Sequence, residues 1–103
     1  MTRNLADRRG YTPLHFAAQE WSIEAADALL EAGASVDAVD QHGNTPLWTA
    51  TFNSKGRGEL IEILRSRGAD PGHRNKAGGS PLELARLIAN YNVAQWHADL
   101  RDA

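Results

Sequence analysis

Between Glu59 and Arg67 the chain reads ELIEILRSR, with Leu60, Ile61, Ile63 and Leu64 spaced to form one apolar stripe on a helix. Gly68 follows, a residue free to take the left-handed backbone that ends a helix, and Gly33 closes an earlier segment in the same way. Shorter helices are expected to run through Gln19, Phe52 and Ile88. Each opens on a hydroxyl, Thr12, Thr45 or Ser80, that suits the N-cap, followed by Pro13, Pro46 or Pro81 at the first helical position, where a missing N–H costs nothing. Ser80 and Glu83 add the spacing of a capping box. Helices this short are held by packing rather than by propensity, so neighbouring segments must cover them.

The chain supplies those neighbours by repeating itself. Thr12-Pro13-Leu14 returns as Thr45-Pro46-Leu47 after 33 residues and as Ser80-Pro81-Leu82 after a further 35. Gly10, Gly43 and Gly78 precede the three copies, Asp7, Asp40 and Asn75 precede those glycines, and Ala17, Ala50 and Ala85 follow in phase. Each copy reads as turn, helix, loop, helix. The period, the TPL signature and the matched caps resemble ankyrin repeats. The resemblance spans nearly the whole chain: a lead at 1–6, a first repeat at 7–39, a second at 40–74, and a C-terminal capping repeat at 75–103. It implies an all-α, three-repeat solenoid of helix-loop-helix units joined by turn or hairpin tips.

Departures from the family pattern mark places to watch. His15 keeps the family's histidine, and the resemblance gives it structural hydrogen bonds between copies, but Trp48 and Glu83 replace it in the later copies. Trp48 is therefore expected in the core, as is Trp96 on a final helix. Trp21 stands where the inter-helix turn usually has glycine, either covering an apolar gap or exposed as an anchor. The third copy stops within its second helix. The second copy is two residues longer, and the excess falls inside NSKGRG, 53–58. Insertions in solenoids map to loops. The segment lacks the order of a phosphate-binding loop and no strand precedes it. It reads as a lengthened turn with Lys55 and Arg57 in solvent, or alternatively as a contact loop for a protein.

Charge and composition narrow the function. The 103 residues carry a formal net charge of -2, so no global positive field draws the chain to nucleic acid. No cysteine is present, which removes disulfides and thiolate metal sites. The N-terminal residues lack the apolar centre of a signal peptide and no stretch is long enough to span a membrane, pointing to a cytoplasmic protein. His15, His42, His73 and His97 have no zinc-ligand spacing, and His42 and His73 are expected to sit exposed on turn tips. Asp37/Asp40 and Asp99/Asp102 lie in turns or termini without a pocket, and the serines lack a nucleophile context. Neither an enzyme nor a cofactor protein is indicated.

Recognition of another protein is what remains. Stacked repeats leave an extended concave surface of tips and first-helix residues. The resemblance places there Arg8, Arg9 and Tyr11 from the first tip, Gln41, His42 and Asn44 from the second, and Lys76 with Ala77 and Gly79 from the third. The ends of the first helices add Gln19, Glu20, Phe52, Asn53, Leu87 and Ile88, and the inserted loop adds Lys55 and Arg57. Tyr11 and Phe52 matter most, since aromatic side chains dominate interface energetics, although Phe52 has packing beneath the loop as its alternative. Ala25, Ala26 and Ala28 limit apolar bulk on the N-terminal flank, where a monomer could self-associate weakly, while Arg86, Asn90, Gln95 and Asp99 read as a polar cap at the other end. The mix of segments is similar to small bacterial ankyrin proteins, a group that implies an immunity protein neutralising a cognate toxin; a generic scaffold or regulator of another protein is the alternative.

Overall fold

A computed structural model describes residues 5–88. Five helices run through them: α1 (Pro13–Gln19), α2 (Ile23–Glu31), α3 (Pro46–Phe52), α4 (Glu59–Ser66) and α5 (Pro81–Leu87). Helix α1 packs on α2 and α3, α3 on α4 and α5, and α2 on α4. The result is an all-α stack of repeats, with first helices in one row and second helices in another. Trp96, His97 and the cap residues Asn90, Gln95 and Asp99 lie outside the described residues.

The helix starts follow from the hydroxyl caps. Thr12, Thr45 and Ser80 accept from the backbone N–H groups of His15, Trp48 and Glu83 respectively. Glu83 returns a bond to the backbone of Ser80, closing the capping box. His15 does the same for Thr12 with its ring, a reciprocal cap that the sequence pattern does not suggest. Trp48 has no acceptor to offer, so α3 opens with half of that device.

Leu14, Ala17, Ala18, Ala26, Leu30, Leu47, Ala50, Leu60, Ile61, Leu64 and Ala69 form one buried cluster, with Ile63 partly covered at its edge. Buried Thr49 and Thr51 donate their hydroxyls back to the carbonyls of Thr45 and Leu47, so these polar groups remain paired. Gly68 has φ +93°, the left-handed helix end expected of it.

The tips are built alike. Asp7, Asp40 and Asn75 each accept two backbone N–H groups of their own turn, from residues two and four further on. Adjacent tips then join through Gln41 N–H to the Arg9 carbonyl at 2.7 Å and Lys76 N–H to the His42 carbonyl at 3.0 Å. Gly10, at φ +77°, lies so close to the next tip that an added Cβ would meet Asp40 Cα at 3.0 Å.

Candidate protein-binding groove

Helix α3 carries an aromatic ledge. Trp48 and Phe52 are one turn apart on a single face, and their rings stack with centroids 5.4 Å apart and planes 10° from parallel. Phe52 is 60% exposed and Trp48 is half-buried. Trp48 is therefore not a core residue as expected. An indole is too large for the seam that the smaller imidazole of His15 fills, and the i, i+4 spacing turns it toward Phe52. That spacing was the available signal.

The ledge forms one wall of an open groove of about 550 Å³, which Tyr11, Gln19, Asp40, His42, Asn44, Thr49, Asn53 and Asn75 complete. Tyr11 is held in place by an aromatic cluster: its ring stacks on His15 at 4.9 Å, meets Phe16 edge-on at 4.8 Å, and has the Arg9 guanidinium 5.1 Å from its centroid. Arg9 also pairs with Asp7 at 3.3 Å, an exposed contact worth little by itself.

The remaining expected site residues divide into three groups. Gln19, Glu20, Gln41, His42, Lys55, Lys76 and Arg8 are exposed and available. Asn44 and Asn53 line the groove but are tied into the fold: the Asn44 side chain accepts from Asn75 at 2.9 Å, and Asn53 donates to the Thr49 carbonyl at 2.9 Å. Arg57 is exposed, as expected, and also clips the inserted loop. It donates to the carbonyls of Ser54 and Asn53 at 2.9 and 3.0 Å and lays its guanidinium 4.4 Å from the centre of the Trp21 ring. Trp21 has φ +56°, the conformation of the glycine it replaces. Its half-buried ring packs against the core under Arg57, so covering a gap is the arrangement the structure adopts.

The histidines differ in role. His15 is fully buried and bridges repeats, with Nε2 2.8 Å from the Asn44 carbonyl and Nδ1 3.2 Å from the backbone nitrogen of Thr12. A carbonyl on one side and an N–H on the other select the neutral form with the proton on Nε2. Burial holds its pKa below the ordinary value, against the opposing pull of the Asn44 bond and the charges of Asp40 and Asp7. His73 is not an exposed tip residue as expected. It is half-buried, and its Nε2 lies 3.1 Å from the Gly43 carbonyl.

Such a groove offers flat aromatic surface beside amide groups and exposed charges of both signs. That chemistry suits the side chains and backbone of a polypeptide. The carboxylate of Asp40 is already engaged by its turn, and no cluster of three or more potential metal ligands occurs among the described residues.

A family model described as ankyrin repeats, three copies, matches residues 2–75. The chain belongs to the ankyrin-repeat family. Its repeats are those of a non-catalytic protein-protein interaction module. Over 86 residues, 84% of the chain, it is 40% identical to the neurogenic locus notch homolog protein 1 of Mus musculus and 38% identical to that of Homo sapiens. Over 76 residues, 74% of the chain, it is 41% identical to the ankyrin repeat and SOCS box protein 16 of Mus musculus. The aligned portions make up only 3% of the notch proteins and 16% of the latter. Among the described residues no helix is long and apolar enough to cross a membrane.

Proposed function

We propose that the chain binds a protein partner through the groove between its first and second repeats, with Trp48 and Phe52 as the central contacts and Tyr11 on the facing side. The observation behind this reading is the exposed, stacked aromatic pair on α3. A ring with 60% of its surface in water costs hydration free energy that a partner's side chain would recover, and aromatic groups in a concavity are the usual centre of binding energy. Arg9, Gln19, Glu20, Gln41, His42 and Lys76 would form a polar rim, acting on orientation and association rate more than on affinity. Lys55 would act in the same way from the loop, whereas Arg57 would serve by holding that loop.

Affinity capture with the wild-type chain and with a Trp48→Ala/Phe52→Ala variant tests the groove, with circular dichroism confirming that both are folded. A protein retained by the wild type and lost by the variant supports it. Equal retention by a folded variant refutes it. Scaffold or regulator of another protein is the form the proposal takes. Neutralisation of a bacterial toxin is a narrower version to which the animal relatives lend no weight, and protection of cells expressing a candidate toxin would be its test. A cytoplasmic setting is proposed on the same footing.

A further inference from the structure

Hydrogen bonds within the fold have committed several of the donors that line the α3 groove. The Asn53 amide nitrogen donates to the Thr49 carbonyl at 2.9 Å, the Thr49 hydroxyl to the Thr45 carbonyl at 3.4 Å, and the Asn75 amide nitrogen to the Asn44 side chain at 2.9 Å. The orientation of Asn75 is fixed, because its Oδ1 accepts the N–H groups of Ala77 and Gly79. Acceptors are left over. Asn53 keeps its Oδ1, and Asp40, the one formally charged residue in the lining, keeps half of its carboxylate. Asp40 Oδ1 takes both turn N–H groups, from His42 at 2.8 Å and Asn44 at 3.0 Å, while Oδ2 accepts nothing from the described residues. Ser54 Oγ is the buried side-chain polar atom among them that lacks a partner, so Asp40 Oδ2 keeps contact with water although the residue is only 8% exposed. A carboxylate so largely withdrawn from solvent gains most from a cation brought to its open oxygen.

The aromatic ledge asks for the same charge. Tyr11 and Trp21 each already have a guanidinium of the chain over the ring, Arg9 at 5.1 Å and Arg57 at 4.4 Å. Among the described residues no cation lies over Trp48 or Phe52, and Phe52 is 60% exposed. The negative face of an aromatic ring attracts a cation, and more strongly as water is excluded from the pair.

Resting on the reading of the groove as a protein-binding site, we propose that what it takes from the partner is an arginine side chain, stacked on the Trp48–Phe52 ledge with a guanidinium N–H on Asp40 Oδ2. A guanidinium has only donors to offer, which complements the acceptors left in the lining, and its plane stacks on a ring as an ammonium cannot. Asn44 gives its oxygen to Asn75, so its amide nitrogen remains as a donor suited to a backbone carbonyl beside the arginine. The chain's own cations stand outside the lining. Arg9 is paired with Asp7 at 3.3 Å, and Arg8 and Lys76 are exposed, where water and salt screen them.

Amide and indole NMR of the full 103-residue chain, titrated with the peptide acetyl-Gly-Ala-Arg-Ala-Gly-amide and with the same peptide carrying lysine, citrulline or leucine at its centre, reads the proposal. Expected is a saturable shift of the Trp48 indole N–H and of the Phe52 and Asp40 amides, with a Kd of about 1 mM for the arginine peptide. Lysine should bind about threefold more weakly, and citrulline, planar but uncharged, about tenfold more weakly. Asp40→Asn exchanges the open oxygen for a donor and should weaken the arginine peptide about tenfold, with the tip intact because Asn75 builds the equivalent turn. Trp48→Ala/Phe52→Ala should abolish binding. The citrulline comparison uses the wild type, so it decides the need for charge even if circular dichroism shows that Asp40→Asn misfolds. Absence of a saturable shift, shifts centred outside the groove, any of the three other peptides bound as tightly as arginine, or indifference to a folded Asp40→Asn each overturns the proposal. The groove as a protein-binding site is judged separately: a captured partner lost with Trp48→Ala/Phe52→Ala yet held at full affinity by Asp40→Asn would keep the groove and remove the arginine.

Discussion

The seam between repeats 1 and 2 and the seam between repeats 2 and 3 solve one problem with different groups. In the first, a fully buried imidazole on the first turn of α1 reaches across to the Asn44 carbonyl and also caps its own helix. In the second, Trp48 holds the matching position and has no acceptor with which to cap its own helix. The crossing bonds move outward to the tips, where His73 meets the Gly43 carbonyl at 3.1 Å and Asn75 donates to the Asn44 side chain at 2.9 Å. Relieved of the seam, the aromatic at position 48 turns into the groove. One difference in residue type therefore exchanges an interior hydrogen bond for an exposed aromatic surface, and the polar pairing between repeats shifts nearer water, where each bond contributes less.

The contrast predicts unequal costs. His15→Ala should destabilise the chain by about 3 kcal/mol, from the lost side chain and two orphaned backbone groups, while His73→Ala at a half-buried tip should cost about 1 kcal/mol. Chemical denaturation of both variants measures the difference, and equal values would break the comparison. Trp48→His should restore the missing cap and leave stability within about 1 kcal/mol of wild type, yet weaken partner binding by about 2 kcal/mol. Calorimetric titration with the captured partner decides whether the position has in fact been given over to binding.

Proton linkage sharpens the same contrast. The folded pKa of His15 is below its ordinary 6.5, so between the two values the unfolded chain binds more protons than the folded one. Stability from this group is complete above about pH 6.5 and is lost as pH falls below it. Thermal midpoints recorded from about pH 7 to about pH 5 should decline more steeply for wild type than for His15→Asn. The smallest effect belongs to the inserted loop. A double-mutant cycle of Arg57→Ala with Trp21→Gly should return a coupling of about 0.5–1 kcal/mol, the scale of an exposed cation–π contact. Trp21→Gly alone should be nearly neutral, because relief of the left-handed backbone offsets the missing ring packing.

The fold is legible in the sequence because its signals repeat. Hydroxyl, proline and glycine recur in phase, and each dictates local backbone on its own account. The groove is legible only in part. The period locates Tyr11 and Phe52, but it also points Trp48 to the core, because one position's family role is carried over to a residue of a different size. Arg57 and Trp21 lie 36 residues apart, and nothing local joins a guanidinium in one loop to an indole in another. Their contact depends on how two neighbouring turns converge in space. His73 escapes sequence reasoning for a similar reason: a turn tip is exposed in an isolated repeat and half-covered once another tip lies against it. Glu31, on the convex side, likewise lacks a local signal for its 2.8 Å pairing with Arg67 on the next repeat.

The stepwise joining of tips and helices also governs how the chain assembles and yields. Most of the hydrogen bonds between repeats connect residues 29 to 40 apart, about one period each. Closing the first such contact costs the entropy of a loop of that length, but once a repeat is in place the next needs to search only its own segment. Assembly should therefore proceed as a zipper from whichever seam forms first, and the seam bridged by His15 is the better nucleus. Under tension applied at the termini the order reverses, and the seam bridged by His15 should be among the last contacts to part.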